Sequence, residues 1–200
     1  MTIGLKDLFI SKITMETDTE GNAIETYAKP ERLAKAITVG MSTEVAEGNL
    51  YADDSIDETI KEFVSGEITI NVNDIPTESY AYLLGQKIDA NGVTWGSEDD
   101  DPPFVAVGFR AKKTKGLYRY VWLLKVKFAI PDENYQTKNN SITFNTPTIV
   151  GTYVKRDMDG RWKADFTGKP SEATAAVWFD QVPEYIAPDT TDPIDPPVDP

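Results

Sequence analysis

The groups in this chain that could do chemistry are carboxylates and amines. Its 200 residues hold 33 Asp and Glu and 20 Lys and Arg, with neither His nor Cys. Without imidazole or thiol there is no Ser-His-Asp triad, no thiolate nucleophile and no zinc site of the usual ligands. Disulfides are excluded, so cysteine usage does not reveal the redox compartment. Carboxylate-pair catalysis and hard-cation sites built from oxygen survive. The acids cluster: residues 44–62 hold seven, Asp53, Asp54, Asp57 and Glu58 among them, against Lys61 alone, and Glu98, Asp99, Asp100 and Asp101 are contiguous. Asp157, Asp159 and Gly160 copy a fragment of a calcium loop, but Arg161 and Trp162 follow and no Glu closes it. The expectation there is a hairpin turn, and elsewhere solvated acidic loops. No acid stands in a context that would bury it and raise its pKa, so no glycosidase-like pair is singled out. Neither phosphate-loop glycine pattern occurs. No cofactor and no metal is expected.

The amines are as unevenly spread. No acid lies between Asp101 and Asp132, while Arg110, Lys112, Lys113, Lys115, Arg119, Lys125 and Lys127 do. With Tyr118, Tyr120 and Trp122 interleaved, this stretch has the composition of a nucleic-acid strip. It equally describes a basic hairpin that seeks an acidic surface on another copy. The net charge of −13 favours the second reading, because a chain that holds phosphate needs an excess of cations.

The elements that must position these groups read as mostly β. Ile68, Ile70 and Val72 alternate with Glu67, Thr69, Asn71 and Asn73, the period of a half-buried strand. Residues 104–111 form a second β-rich run and 117–130 the longest, with residues 112–116 a hairpin turn between them. One face of the long run carries Tyr118, Tyr120, Trp122, Leu124, Val126, Phe128 and Ile130; the other carries Arg119, Val121, Leu123, Lys125 and Lys127. Residues 142–154 read as a further strand with Pro147 at an edge or bulge, and Asp159-Gly160 as a tight turn into 161–166. A short helix is expected from Pro76 to Leu84, with Asp74 as cap and Gly85 as stop. Another follows Ser171, with Ala175, Trp178, Phe179 and Val182 on one face and Pro183 ending it. The expected division is a β domain over 1–182 and an extended or disordered Pro/Asp-rich tail over 183–200, which has six prolines, five acids and no base. No apolar run reaches the roughly 18–20 residues of a membrane span, and residues 1–10 lack the form of a signal peptide. The expectation is a soluble protein folded without export.

Several blocks occur in a telling order. Leu-Tyr-Ala-Asp-Asp stands at 50–54 and Gly-Phe-Arg at 108–110 ahead of Lys112 and Lys113. Tyr-Arg-Tyr-Val-Trp follows at 118–122, leading to Lys-Phe-Ala-Ile-Pro at 127–131. Tyr-Val-Lys-Arg at 153–156 and Gly-Arg-Trp-Lys-Ala at 160–164 complete the set. From about Gly4 to Val182 the chain resembles the major tail proteins of long-tailed, non-contractile bacteriophages and prophages. The resemblance implies two β-sheets packed as a sandwich or barrel, with a helix at the flank. It implies six copies joined sheet to sheet in a ring, and rings stacked into a hollow virion tail tube through which DNA leaves the capsid. The implied partners are further copies, the tape measure protein, and the tail terminator and distal tail proteins. Assembly is expected in the bacterial host cytoplasm, with no enzymatic role and no membrane.

On that reading Arg110, Lys112, Lys113, Lys115 and Arg119 are the candidate stacking hairpin. Asp53, Asp54, Asp57 and Glu58, or Glu98 to Asp101, are the candidate acidic contacts on a neighbour. Glu67, Asn71 and Asn73 are candidates to face a bore that should repel rather than hold DNA. Two other readings stand beside it: a carbohydrate-binding or glycan-cleaving β-sandwich, and a capsid decoration protein.

Overall fold

The computed structural model describes residues 2–17, 21, 23–52, 55–132 and 146–188. Strands β1 (Thr2–Thr17), β2 (Ala23–Tyr27), β3 (Glu31–Ala34), β4 (Ala36–Ala52) and β5 (Ser55–Val72) come first. Helix α1 (Thr77–Leu84), β6 (Lys87–Ile88), β7 (Thr94–Trp95), β8 (Phe104–Lys113), β9 (Tyr118–Phe128), β10 (Thr148–Tyr153), β11 (Lys163–Gly168) and helix α2 (Ala173–Val177) follow. Among the described residues nine strands make one antiparallel sheet in the order β2-β1-β8-β9-β10-β5-β4, with β3 also on β1 and β11 also on β9; β6 and β7 form a small second sheet.

The large sheet curls until its two halves face one another. β3 lies against β1 and β4 against β5, yet only Lys35 separates β3 from β4. That corner is closed by Lys35 N donating to Asn73 Oδ1 (3.0 Å) and Asn73 N donating to Lys35 O (3.0 Å). Between the halves, Leu8, Ile10, Val107, Val121 and Leu123 meet Ile68, Ile70, Val72 and Ile149, all essentially without solvent contact. The fold is thus mainly β and sandwich-like. The period-two expectation holds on β5, where Ile68, Ile70 and Val72 are buried while Glu67, and Asn73 just past the strand end, are exposed.

The alternation expected along β9 fails halfway. Tyr120, Trp122 and Leu124 point to one side, where Ala175, Trp178 and Val182 of the α2 segment cover them. Val126 and Phe128 join Val121 and Leu123 on the other side, in the main core. The cause is a bulge: Val107 pairs with Leu123 but Val105 pairs with Val126, so two β9 residues, Leu124 and Lys125, oppose one β8 residue. Three groups of the displaced backbone find partners outside β8. Leu124 N donates to Trp162 O (3.0 Å), Val154 N to Lys125 O (3.0 Å) and Tyr27 Oη to Leu124 O (3.0 Å). Ile130, expected on the apolar face, lies past the strand end and is exposed.

Other expectations are sharpened or corrected. The 112–116 turn is present, closed by Lys113 N to Leu117 O (2.8 Å). The Asp159-Gly160 turn is also present, with Gly160 N donating to Arg156 O (2.9 Å). Gly85 does end α1: at φ +71° it sits in the left-handed region, and a Cβ there would fall 2.4 Å from Asp101 O. Asp74 is not the cap of α1. Its carboxylate accepts from Ile75 N (2.9 Å), and Pro76 precedes the helix without a capping side chain. Ser171 does not cap α2 either; Glu172 occupies that position, and its Oε1 accepts from Lys169 N (2.7 Å). The strand expected over 142–154 begins at Thr148, just after Pro147, and residues 142–145 lie outside the described residues. Residues 44–52 and 55–62 of the acidic stretch, expected as solvated loops, belong to paired strands β4 and β5, and Asp53 and Asp54 lie outside the described residues. The expected tail begins as described chain through residue 188; residues 189–200 lie outside it.

Candidate functional site

β4 and β5 pair far beyond the body. Register runs from Ala36 with Val72 to Ala52 with Ser55, broken by shifts near Ile37, Val64 and Asp57. At its root the ribbon shares the core through Ile68 and Ile70. Farther out, residues 41–48 are all exposed, as are 59–62 opposite them. This part is therefore a two-stranded ribbon uncovered on both faces, an arrangement that is marginal alone in water. It nevertheless carries apolar side chains: Val45, Ile60 and Val64 are about half exposed. Among the described residues β4 pairs only with β5, which leaves its outer edge open to them along much of its length.

The root is clamped by aromatic stacking. Phe63 stacks on Trp162 with centroids 4.6 Å apart, and Trp162 stacks on Tyr153 at 5.5 Å. Tyr153 Oη donates to Ser42 O (2.8 Å). Gly66 makes room for the Tyr153 ring, since a Cβ there would lie 2.0 Å from it.

Cross-strand register assigns the ribbon faces. Ser42 pairs with Glu67, Glu44 with Ser65 and Ala46 with Glu62, so Glu44, Glu62 and Glu67 line one face. Toward the body that face continues through Thr69 and Asn71 to Thr152, Val150 and Thr148 of β10. Glu67 and Asn71, two candidate bore residues, are thus neighbours on a small polar surface. Asn71 Nδ2 donates to Thr148 Oγ1 (2.9 Å) and Thr146 Oγ1 (3.1 Å). Asn73 is committed to the corner at Lys35.

The candidate hairpin divides. Arg110 pairs with Asp7 (2.5 Å) and lies over the Tyr118 ring at 5.0 Å. Arg119 forms a two-pronged contact with Asp165. Burial works against the charge of Asp165, but the Arg119 hydrogen bond and the charges of Arg119 and Lys163 outweigh it and hold that carboxyl below the usual range. Lys112, Lys113 and Lys115 have no ion-pair partner among the described residues. The turn's available charge is therefore three lysines, not five cations.

The candidate acidic loops divide too. Asp100 accepts from Ser97 N (2.8 Å) and Asp101 pairs with Lys127 (2.6 Å), while Glu98 and Asp99 are exposed. Asp57 and Glu58 lie in β5. Asp53 and Asp54 lie outside the described residues.

One charged cluster was not legible as such. Lys125, at the β9 bulge, reaches Glu25 Oε1 (2.6 Å) and Asp157 Oδ2 (2.7 Å); the Glu25 side chain is wholly buried. Arg156 and Arg161 both pair with Asp159. Burial opposes ionisation of Asp159, but hydrogen bonds from Arg156 and Arg161 N prevail and lower its pKa. Asp157 and Asp159, the calcium-loop fragment, are thus spent on neighbouring cations. The sequence signal was Lys125, which with Lys127 interrupts an apolar run.

A cleft of about 580 Å³ lies between α1, β7 and the end of β9, lined by residues including Tyr80, Leu84, Thr94 and Asp132. Among the described residues its lining holds one carboxylate, Asp132, where glycoside cleavage generally uses two. Trp122 is fully buried; Trp95 is exposed. Among the described residues no helix is long and apolar enough to cross a membrane. Comparison with protein-family models and with curated proteins returns no match to this chain.

Proposed function

We propose that this chain is a structural subunit that polymerises with copies of itself, as the tail tube protein of a long-tailed bacteriophage or prophage, and has no catalytic role. The observation that carries the reading is the β4–β5 ribbon, apolar in part, uncovered on both faces and open along the β4 edge. An open edge of this length invites pairing with another chain, and a head-to-tail contact of this kind closes into rings or extends into filaments. The ordered sequence blocks supply the rest: six-fold rings, stacking into a virion tube, and passage of DNA. They also supply contacts with tape measure, tail terminator and distal tail proteins. Strand pairing closes the ring, while Lys112, Lys113 and Lys115 meet carboxylates of a neighbour, with Glu98 and Asp99 the available members of one candidate loop. The polar surface around Glu67 and Asn71 faces the bore, where a surface without excess cations lets DNA slide.

The experiment is charge reversal. Lys112→Glu, Lys113→Glu and Lys115→Glu together should weaken polymerisation and flatten its dependence on salt, read by sedimentation across a NaCl series. Polymerisation unchanged at every salt concentration would contradict the electrostatic part of the proposal.

A further inference from the structure

We infer that the β6–β7 hairpin docks on the lysine turn of a second copy, with Trp95 as its anchor, so that chains join head to tail along the direction of β8 and β9. The contact is a step of the polymerisation proposed above and rests on that reading.

Trp95 is held in place on the surface. Trp122 and Trp178 are buried and Trp162 stacks on Phe63 and Tyr153, whereas Trp95 is 61% exposed. It pairs with Lys87 across the hairpin. Its indole Nε1 donates to Asp89 Oδ2 (3.1 Å), and Asp89 Oδ1 accepts from Asn91 N (2.8 Å) and Val93 N (2.9 Å). One carboxylate thus closes the turn and fixes the ring, so little freedom remains to be lost when a partner covers it. Elsewhere in the fold cations lie over Tyr82, Tyr118, Phe104 and Trp162. Among the described residues none lies over Trp95, although tryptophan offers a cation the most favourable ring face.

The hairpin and the turn carry opposite charge. Residues 86–101 hold five acids and one cation, Lys87. Asp101 is paired with Lys127 and Asp100 with the backbone of Ser97, which leaves Glu98 and Asp99 as the exposed acids that follow Trp95 in the chain. On the other side of the contact, Lys112, Lys113 and Lys115 have no carboxylate at ion-pair distance among the described residues. Lys115 stands at φ +64°, in the left-handed region that glycine fills at least cost. A lysine there accepts backbone strain and places a charge at the tip of the turn.

The two surfaces sit at opposite ends of one strand pair. Lys127 pairs in register with Phe104 at the start of β8 and holds Asp101 (2.6 Å), which ties the acidic turn to that end. Gly85, which leads into β6, lies against Asp101 O, so the hairpin is fixed there too. The lysine turn begins at Lys113, the far end of β8. The length of β8 keeps the two about 30 Å apart, so they meet only between copies. A surface at one end that complements the other end makes a head-to-tail contact, which repeats from copy to copy instead of closing in a pair. Stacking of rings needs a contact of this open-ended kind, separate from ring closure through the β4 edge.

Zero-length carbodiimide cross-linking joins a carboxylate to an amine in contact, and a mixture of isotopically labelled and unlabelled full chains shows which joins lie between copies. At about 10 mM salt, where screening is weak, cross-links from Glu98 or Asp99 to Lys112, Lys113 or Lys115 should appear in label-mixed pairs. They should drop severalfold at about 500 mM salt. Their absence at low salt, or their confinement to single chains, would overturn the docking. Trp95→Leu should reduce them severalfold and Trp95→Phe should restore most of the yield. Both variants lose the bond to Asp89, so equal yields from the two would overturn the anchor. Lys115→Gly relieves the backbone and should keep or raise the melting temperature while lowering the remaining cross-links severalfold; unchanged cross-linking would overturn the part given to Lys115. Cross-links at this contact in a chain that forms neither rings nor tubes would leave the docking standing and count against the tube reading.

Discussion

Lys125 sits where the sheet can least tolerate an unpaired charge. Its amine touches two carboxylates, one of them the fully buried Glu25. Removing one partner of a buried pair generally costs about 3–5 kcal/mol, because the other charge is stranded. Lys125→Ala should therefore lower the urea midpoint sharply, and adding Glu25→Leu should restore much of it; a single variant as stable as the parent would refute the pairing. Asp159 and Asp165 make a second residue-scale prediction. Both have folded-state pKa values below the ordinary one. The stability they contribute is complete above about pH 4, the unfolded value, and is lost as pH falls through their folded values. Asp159→Asn should flatten that acid limb in urea midpoints measured from neutral pH downward, and an unchanged limb would contradict it. Sequence reading singled out Lys125, Asp157 and Asp159 separately and did not single out Glu25. Glu25 and Lys125 are 100 residues apart, and nothing local announces their meeting.

At the scale of elements, legibility followed coverage. β5 near Ile70, β8, the lysine turn and the Gly85 stop were readable because each carries its own period or turn chemistry. The bulge in β9 was not, since one extra residue leaves no compositional mark while reversing every side chain after it. The outer ribbon was missed for another reason. No body covers it, so no apolar alternation is imposed, and its many acids imitate a loop. That exposure yields a prediction. Val45→Ser, Ile60→Ser and Val64→Ser together should leave the melting temperature of the monomer nearly unchanged, since these residues lose little solvent shielding in the monomer. The same change should abolish polymerisation. A melting temperature that falls steeply would show that the ribbon tip packs on its own chain.

Over the whole molecule, the net charge of −13 is distributed rather than uniform. Acids line one ribbon face and the C-terminal segment, and unspent lysines concentrate at one turn. The sandwich-like architecture was legible because its core strands are strongly patterned; its open edge and bare ribbon became visible only once the strands were paired. These features together describe a body whose two longest strands pair with each other beyond the core, and the proposed self-assembly rests on that uncovered ribbon. Negative-stain electron microscopy of the concentrated, purified chain tests this most directly. The account predicts rings or hollow tubes of uniform diameter that grow with concentration; monodisperse monomers at every concentration and salt would contradict it.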